Sequence, residues 1–193
     1  MVKFVFLFTA ILISSTFSQS NKSLKNGQSL PPLQYVTLDK SVKTLDWKKH
    51  KGEVFLIDFW ATWCAPCIQS FPHTDSLINK VKGEKVKFIS VTYEPANLVM
   101  KSLKTHPMQS EIGIDNDFAM FRKFNAWPIP NIVMINSKGV FAGRIHPNQL
   151  NEDVINQLLD GKIPVLENTK EDMFNPIEAE KYFRSFLEEQ KNK

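Results

Sequence analysis

The sequence predicts an α/β domain, a central mixed β-sheet flanked by helices, and three observations predict it. An apolar run at 54–60 is followed by a helical stripe at 64–81 and a second apolar run at 86–91, the pattern of a parallel β-α-β unit. Two further short runs, 132–135 and 140–142, flank Asn136-Ser137-Lys138-Gly139, a glycine-containing hairpin turn. Leu150, Val154, Ile155, Leu158 and Leu159 then recur at helical spacing. The order strand, helix, strand, helix, hairpin, helix is satisfied by one sheet with helices on its faces.

Taken in order, Pro31-Pro32 precedes Tyr35-Val36-Thr37-Leu38, a short edge strand, and Lys51-Gly52-Glu53 forms a turn. The run 54–60 is nearly unbroken, as expected of a strand covered on both faces. Cys67, Ile68, Phe71, Leu77, Ile78 and Val81 mark one helical face, with Pro72 inside it expected to kink the axis and Gly83 to end the element. A right-handed crossover then leads to the strand at 86–91. Residues 96–104 are helical in pattern until His106-Pro107, and Phe118, Phe121 and Phe124 suggest another short helix. Asn151 is the candidate cap of the last helix and Gly161 its stop.

The ends differ from this body. Lys3 precedes the apolar segment 4–13, and small or polar residues follow. That order is expected of a signal peptide over 1–18, cleaved near Ser18-Gln19; left uncleaved, the same run would tether the chain to a membrane. The domain is expected over 27–161. Residues 162–193 form a polar linker and an amphipathic helix marked by Ile177, Tyr182, Phe183, Phe186 and Leu187, which either docks on the domain or faces a partner. The mature chain is expected to be periplasmic or secreted. Its net charge of +4 is spread as lysines among acids, without the basic, aromatic-interleaved stripe that nucleic-acid binding needs.

Both cysteines of the chain lie in Cys64-Ala65-Pro66-Cys67. None remains for a structural framework, so the pair is either redox chemistry or half of a metal site. Cys64 falls at the start of a helix, where unpaired amides and the helix dipole favour a thiolate. Cys67, one turn on, is placed to attack Cys64 once that sulfur carries a mixed disulfide. Pro66 suits a first turn and restricts it. Asp58 interrupts an apolar strand: it is either a buried acid of raised pKa, able to take the Cys67 proton through a water, or a solvated strand end. On residues alone, Trp127-Pro128-Ile129-Pro130 reads as an ordinary loop before the hairpin. A cis bond before Pro130 would offer the Ile129 backbone to an extended substrate chain.

Rival chemistries fit less well. A zinc site would need two further ligands from four scattered histidines, and covalent haem attachment needs histidine where Ile68 stands. A peroxidase would need arginine near the tetrad. A redox-inactive module that binds peptides or a metal is the alternative to an enzyme.

The stretch Trp60-Ala61-Thr62-Trp63-Cys64-Ala65-Pro66-Cys67 resembles the active-site signature of thioredoxin-fold oxidoreductases, especially the secreted TlpA/ResA-like branch. Pro72, the late Ile129-Pro130 and the opening Gly27-Gln28-Ser29-Leu30-Pro31 extend the resemblance over about 27–161. The resemblance implies a thioredoxin fold, Cys64 as attacking thiol, Cys67 as resolving thiol and Asp58 as the buried acid. It also implies Pro130 as a cis-proline, with Trp63, Pro66 and Ile129 beside it as the substrate-contacting set. Protein disulfides would be the substrates, a membrane thiol carrier the electron donor, and no cofactor is expected. Proline without histidine between the cysteines resembles reductants more than strong oxidants. Three positions depart from the branch: Ser70 stands where many members carry glutamate, Pro128 where glycine is usual, and Asn131 where threonine is common.

Overall fold

A computed structural model describes residues 24–166, with Ser185 and Glu188 beyond them. The expected signal peptide at 1–18 and the apolar stripe of the tail lie outside the described residues. The elements are β1 (Leu33–Thr37), β2 (Val42–Leu45), β3 (Val54–Phe59), α1 (Ala65–Lys80), β4 (Val86–Thr92), α2 (Ala96–Leu103), β5 (Glu111–Ile114), α3 (Ala119–Phe124), β6 (Asn131–Ile135), β7 (Phe141–Ile145), a 3-10 turn (Pro147–Gln149) and α4 (Glu152–Leu159). They form one mixed sheet in the order β2-β1-β5-β4-β3-β6-β7.

All six residues of β3 are buried, which explains its unbroken apolar run. It pairs in parallel with β4, placing Asp58 beside Ser90, and antiparallel with β6, placing Asp58 beside Ile132. The expected β-α-β unit and the β6–β7 hairpin are both present. At the hairpin, Gly139 adopts φ +74°, a conformation that a side chain would strain. Asn136 Oδ1 accepts from the Lys138 amide at 3.1 Å to close the turn.

One expectation needs correction. The segment around Tyr35 is not an edge strand: β1 lies between β2 and β5. Tyr35 is buried there, and its hydroxyl donates to the Glu111 carboxylate on the β5 side. The expected helix is present as α1, which carries Pro72 inside it and runs on to Lys80.

Strand alternation sorts the core. Val54 and Leu56 pack with Leu77 of α1 and with Val154, Ile155 and Leu158 of α4. Phe55, Ile57 and Phe59 belong to a second cluster with Val99, Phe121 and Phe124. Phe59 and Phe121 meet edge to face at 4.7 Å. The six residues of α3 are too few to be helical alone. Burial of Met120, Phe121 and Phe124 supplies about 2 kcal/mol each toward holding it. The first described residues cover the far edge: Gly27 N donates to Phe141 O at 2.7 Å, and Phe141 N donates to Gln28 O at 3.0 Å.

Candidate active site

β3 ends by delivering buried Trp60, whose amide donates to Val91 O at 3.1 Å on β4. A turn follows, closed by Cys64 N donating to Ala61 O at 3.0 Å. Cys64 is the N-cap of α1, and its Sγ accepts from Cys67 N at 3.3 Å. The two sulfurs form a disulfide, with the Cα atoms 5.3 Å apart. Pro66 sits in the first turn, where the amide that proline lacks would have no helical partner. A sulfur at this position lies against the positive end of a 16-residue helix.

Access to the sulfurs is narrow. Cys64 is 3% exposed and Cys67 1%, while Trp63 beside them is 53% exposed. The Trp63 indole Nε1 donates to Tyr93 OH at 3.0 Å, and its ring stands 6.1 Å from that of Trp127. Trp127 and Ile129 are half-buried, and Pro66 is exposed. The Ile129–Pro130 peptide is cis, as the resemblance implied; the Trp127–Pro128 peptide is also cis, which no pattern in the sequence signalled. Pro130 leads directly into Asn131 of β6, the strand beside β3.

Asp58 is buried, so it is not a solvated strand end. It shares the face of Val54 and Leu56, on the side of the sheet that α1 and α4 cover. Its Oδ1 has no hydrogen-bond partner among the described residues. Burial pushes its pKa up to about 7. A carboxyl near neutrality can take a proton and give it back at physiological pH.

Three buried charged residues escaped the sequence reading. Glu94, just past β4, accepts from Thr62 Oγ1 at 2.8 Å and from the Thr62 amide at 2.5 Å. Asp115, just past β5, accepts from the amides of Met120 and Phe121 at 3.2 and 2.9 Å; burial raises its pKa to about 6. Arg144 lies within β7 and donates through Nη1 to Phe124 O at 2.9 Å. Arg144 stands within an apolar strand run, the signal that singled out Asp58, and Glu94 follows one closely. Among the described residues, no cluster of three or more His, Cys, Asp or Glu is placed to hold a metal ion.

Fold and site together define a thioredoxin-fold protein with a two-cysteine centre at the head of a helix. The redoxin family model matches residues 25–159, and the chain belongs to that family. It is 25% identical over 144 residues to the thiol-disulfide oxidoreductase ResA of Bacillus cereus, a match covering 74% of this chain and 82% of that relative. It is 28% identical over 162 residues to the thioredoxin-like protein YneN of Bacillus subtilis, covering 79% and 89%. The thioredoxin domain of a thiol-disulfide oxidoreductase from Bacteroides vulgatus superposes with a TM-score of 0.58 at 17% identity, over 74% of this chain and 100% of that one. That likeness shows the shared fold.

Proposed function

We propose that this redoxin is a thiol-disulfide oxidoreductase that reduces protein disulfides outside the cytoplasm. The observation that carries the reading is the Cys64–Cys67 pair at the N-cap of α1, with Cys64 Sγ already accepting a backbone hydrogen bond. The class of reaction is that named for ResA, to which the chain is similar.

In the dithiol form, Cys64 thiolate attacks a substrate disulfide, and one substrate sulfur leaves as a thiolate. Cys67 then loses its proton through a water to the Asp58 carboxylate and attacks Cys64 Sγ. The second substrate thiolate departs, and the Cys64–Cys67 disulfide forms. Two electrons have passed to the substrate. Trp63, Pro66, Ile129 and Pro130 are the surface over which an extended substrate chain lies. A membrane thiol carrier returns the dithiol. The reducing direction is supported by proline, rather than histidine, before the second cysteine, since a histidine there would stabilise the thiolate. The location is supported by the apolar leader at 4–13.

The test is turnover of insulin disulfides by the purified chain with dithiothreitol as electron source, together with its reduction potential measured against glutathione. Insulin reduction with a potential well below that of glutathione supports the reading. A potential as oxidising as that of a strong thiol oxidase would reverse the direction, and a pair that stays locked under reductant would end the enzymatic reading.

A further inference from the structure

Arg144 is the penultimate residue of β7 and is 2% exposed, between Gly143 and Ile145. Burying a guanidinium is costly unless its donors are used. Its position opposite Val133 puts it on the face that α3 packs against. There Nη1 donates to the carbonyl of Phe124, the last residue of α3, and the guanidinium carbon lies 5.8 Å from the centre of the Phe141 ring. Helix C-termini leave carbonyls without amide partners and favour a cation. At the other end of the same helix, the Asp115 carboxylate takes the amides of Met120 and Phe121. Two buried side chains of opposite charge, from β5's end and from β7, thus hold a six-residue helix by both ends.

That helix leads straight into the loop that meets Trp63, the residue before Cys64. Phe124 is followed by Asn125 in the left-handed conformation, and Ala126 N donates back to Phe121 O at 3.0 Å. Trp127 comes next, its ring set against that of Trp63, and then Ile129 and Pro130. Two residues connect α3 to Trp127, and one of them is bonded back to the helix, so a shift at the end of α3 is passed to the loop.

We propose that Arg144 is a positioning residue that holds the C-terminal end of α3 and thereby sets the 127–130 loop against the Cys64–Cys67 pair for gripping an extended protein disulfide. The substrate side of this assignment rests on the function proposed above. Arg144 touches no reacting atom, so its effect falls on substrate grip and not on sulfur chemistry.

The experiment compares Arg144→Met and Arg144→Lys with the wild type on insulin and on dithiobis(nitrobenzoate), a small disulfide with no chain to grip. For Arg144→Met, the KM for insulin is expected to rise about 5-fold with kcat within about 2-fold. The dithiobis(nitrobenzoate) rate and the reduction potential stay as in the wild type. Arg144→Lys, which keeps a donor but not the planar fork, restores part of the KM. A folded Arg144→Met with unchanged insulin KM, or one that loses both disulfides equally, overturns the assignment. Should Arg144→Met fail to fold by circular dichroism, Arg144→Lys and Asp115→Asn decide: unchanged insulin KM in both overturns it. Amide exchange at Asn125, Ala126 and Trp127 is expected to quicken in Arg144→Lys, and unchanged exchange also counts against the assignment. A wild type inactive on insulin would remove the proposed function, leaving the exchange measurement to decide the positioning role alone.

Discussion

The Glu94 carboxylate grips Thr62 twice, through the amide and through the hydroxyl. The end of β4 is thereby fastened to the turn that delivers Cys64, two residues on. Because Glu94 is buried, removing it leaves the Thr62 amide without its acceptor. Glu94→Ala is expected to cost about 1–3 kcal/mol in urea unfolding of the oxidised protein. Glu94→Gln should recover most of that, since its amide oxygen can still accept from Thr62 N. Equal losses in the two variants would show that charge, not hydrogen-bond geometry, holds the turn.

Asp58 makes stability depend on pH with a definite sign. Its folded pKa of about 7 lies above the ordinary 3.8, so between those values the folded protein binds more protons than the unfolded chain. Stability from this group is therefore greatest below about pH 4 and is lost as pH rises through 7, by an amount on the order of a few kcal/mol. Asp115 adds the same sign over a narrower window, up to about pH 6. Thermal melts of the oxidised protein from pH 4 to 8 check this, as the difference between wild type and Asp58→Asn. The variant should lose most of the Asp58 slope and be the more stable of the two at pH 8. Parallel curves would mean that Asp58 ionises normally.

The same group should mark the chemistry. If the carboxylate takes the Cys67 proton, wild-type resolution speeds up as pH rises through about 7. Asp58→Asn should slow resolution by about 100-fold, the lower range for general-base assistance, and lose that inflection. Rapid-quench measurement of mixed-disulfide decay from pH 6 to 9 reads both. A rate unaffected by the variant assigns Asp58 to structure.

Cys67→Ser should accumulate a covalent adduct on Cys64 that dithiothreitol releases, whereas Cys64→Ser should accumulate none on Cys67 from the same substrate. Mass spectrometry of the trapped species checks the order of attack and identifies the bound proteins. Adducts formed equally by both variants would contradict distinct roles for the two sulfurs.

Away from the sulfurs, Gly113 of β5 has no room for a side chain: an added Cβ would lie 2.8 Å from Cδ2 of Tyr35. That ring is buried and its hydroxyl is held by Glu111, so it cannot swing aside. Gly113→Ala should destabilise the protein by about 1–3 kcal/mol in chemical denaturation, with the redox potential unchanged.

What the sequence disclosed follows from which residues carry a repeating signal. β3 is buried along its whole length and α1 keeps one apolar face, so both were legible, as were Asn151 and Gly161 at the ends of α4. β2 was not, because three of its four residues are exposed and no alternation survives. β5 was not, because four residues that begin with Glu111 and include Gly113 do not stand out from a loop. Missing both strands made β1 look like an edge. At the site, the spacing of Cys64 and Cys67 was enough to place both sulfurs at the helix start. The partners of Glu94, Asp115 and Arg144 lie 32, 5 to 6 and 20 residues away, and only the folded chain brings them together.

The backbone bonds that Phe141 makes with Gly27 and Gln28, with a bridge between Ser29 and Val140, act as a selvedge on β7. The opposite border, β2, is short and carries Lys43, so it offers little purchase to a neighbour. A shortened chain starting beyond Ser29 would leave β7 as an open template for other molecules. Its tendency to clump would then be mistaken for a fault of the domain, when the cause was the place where the chain was cut.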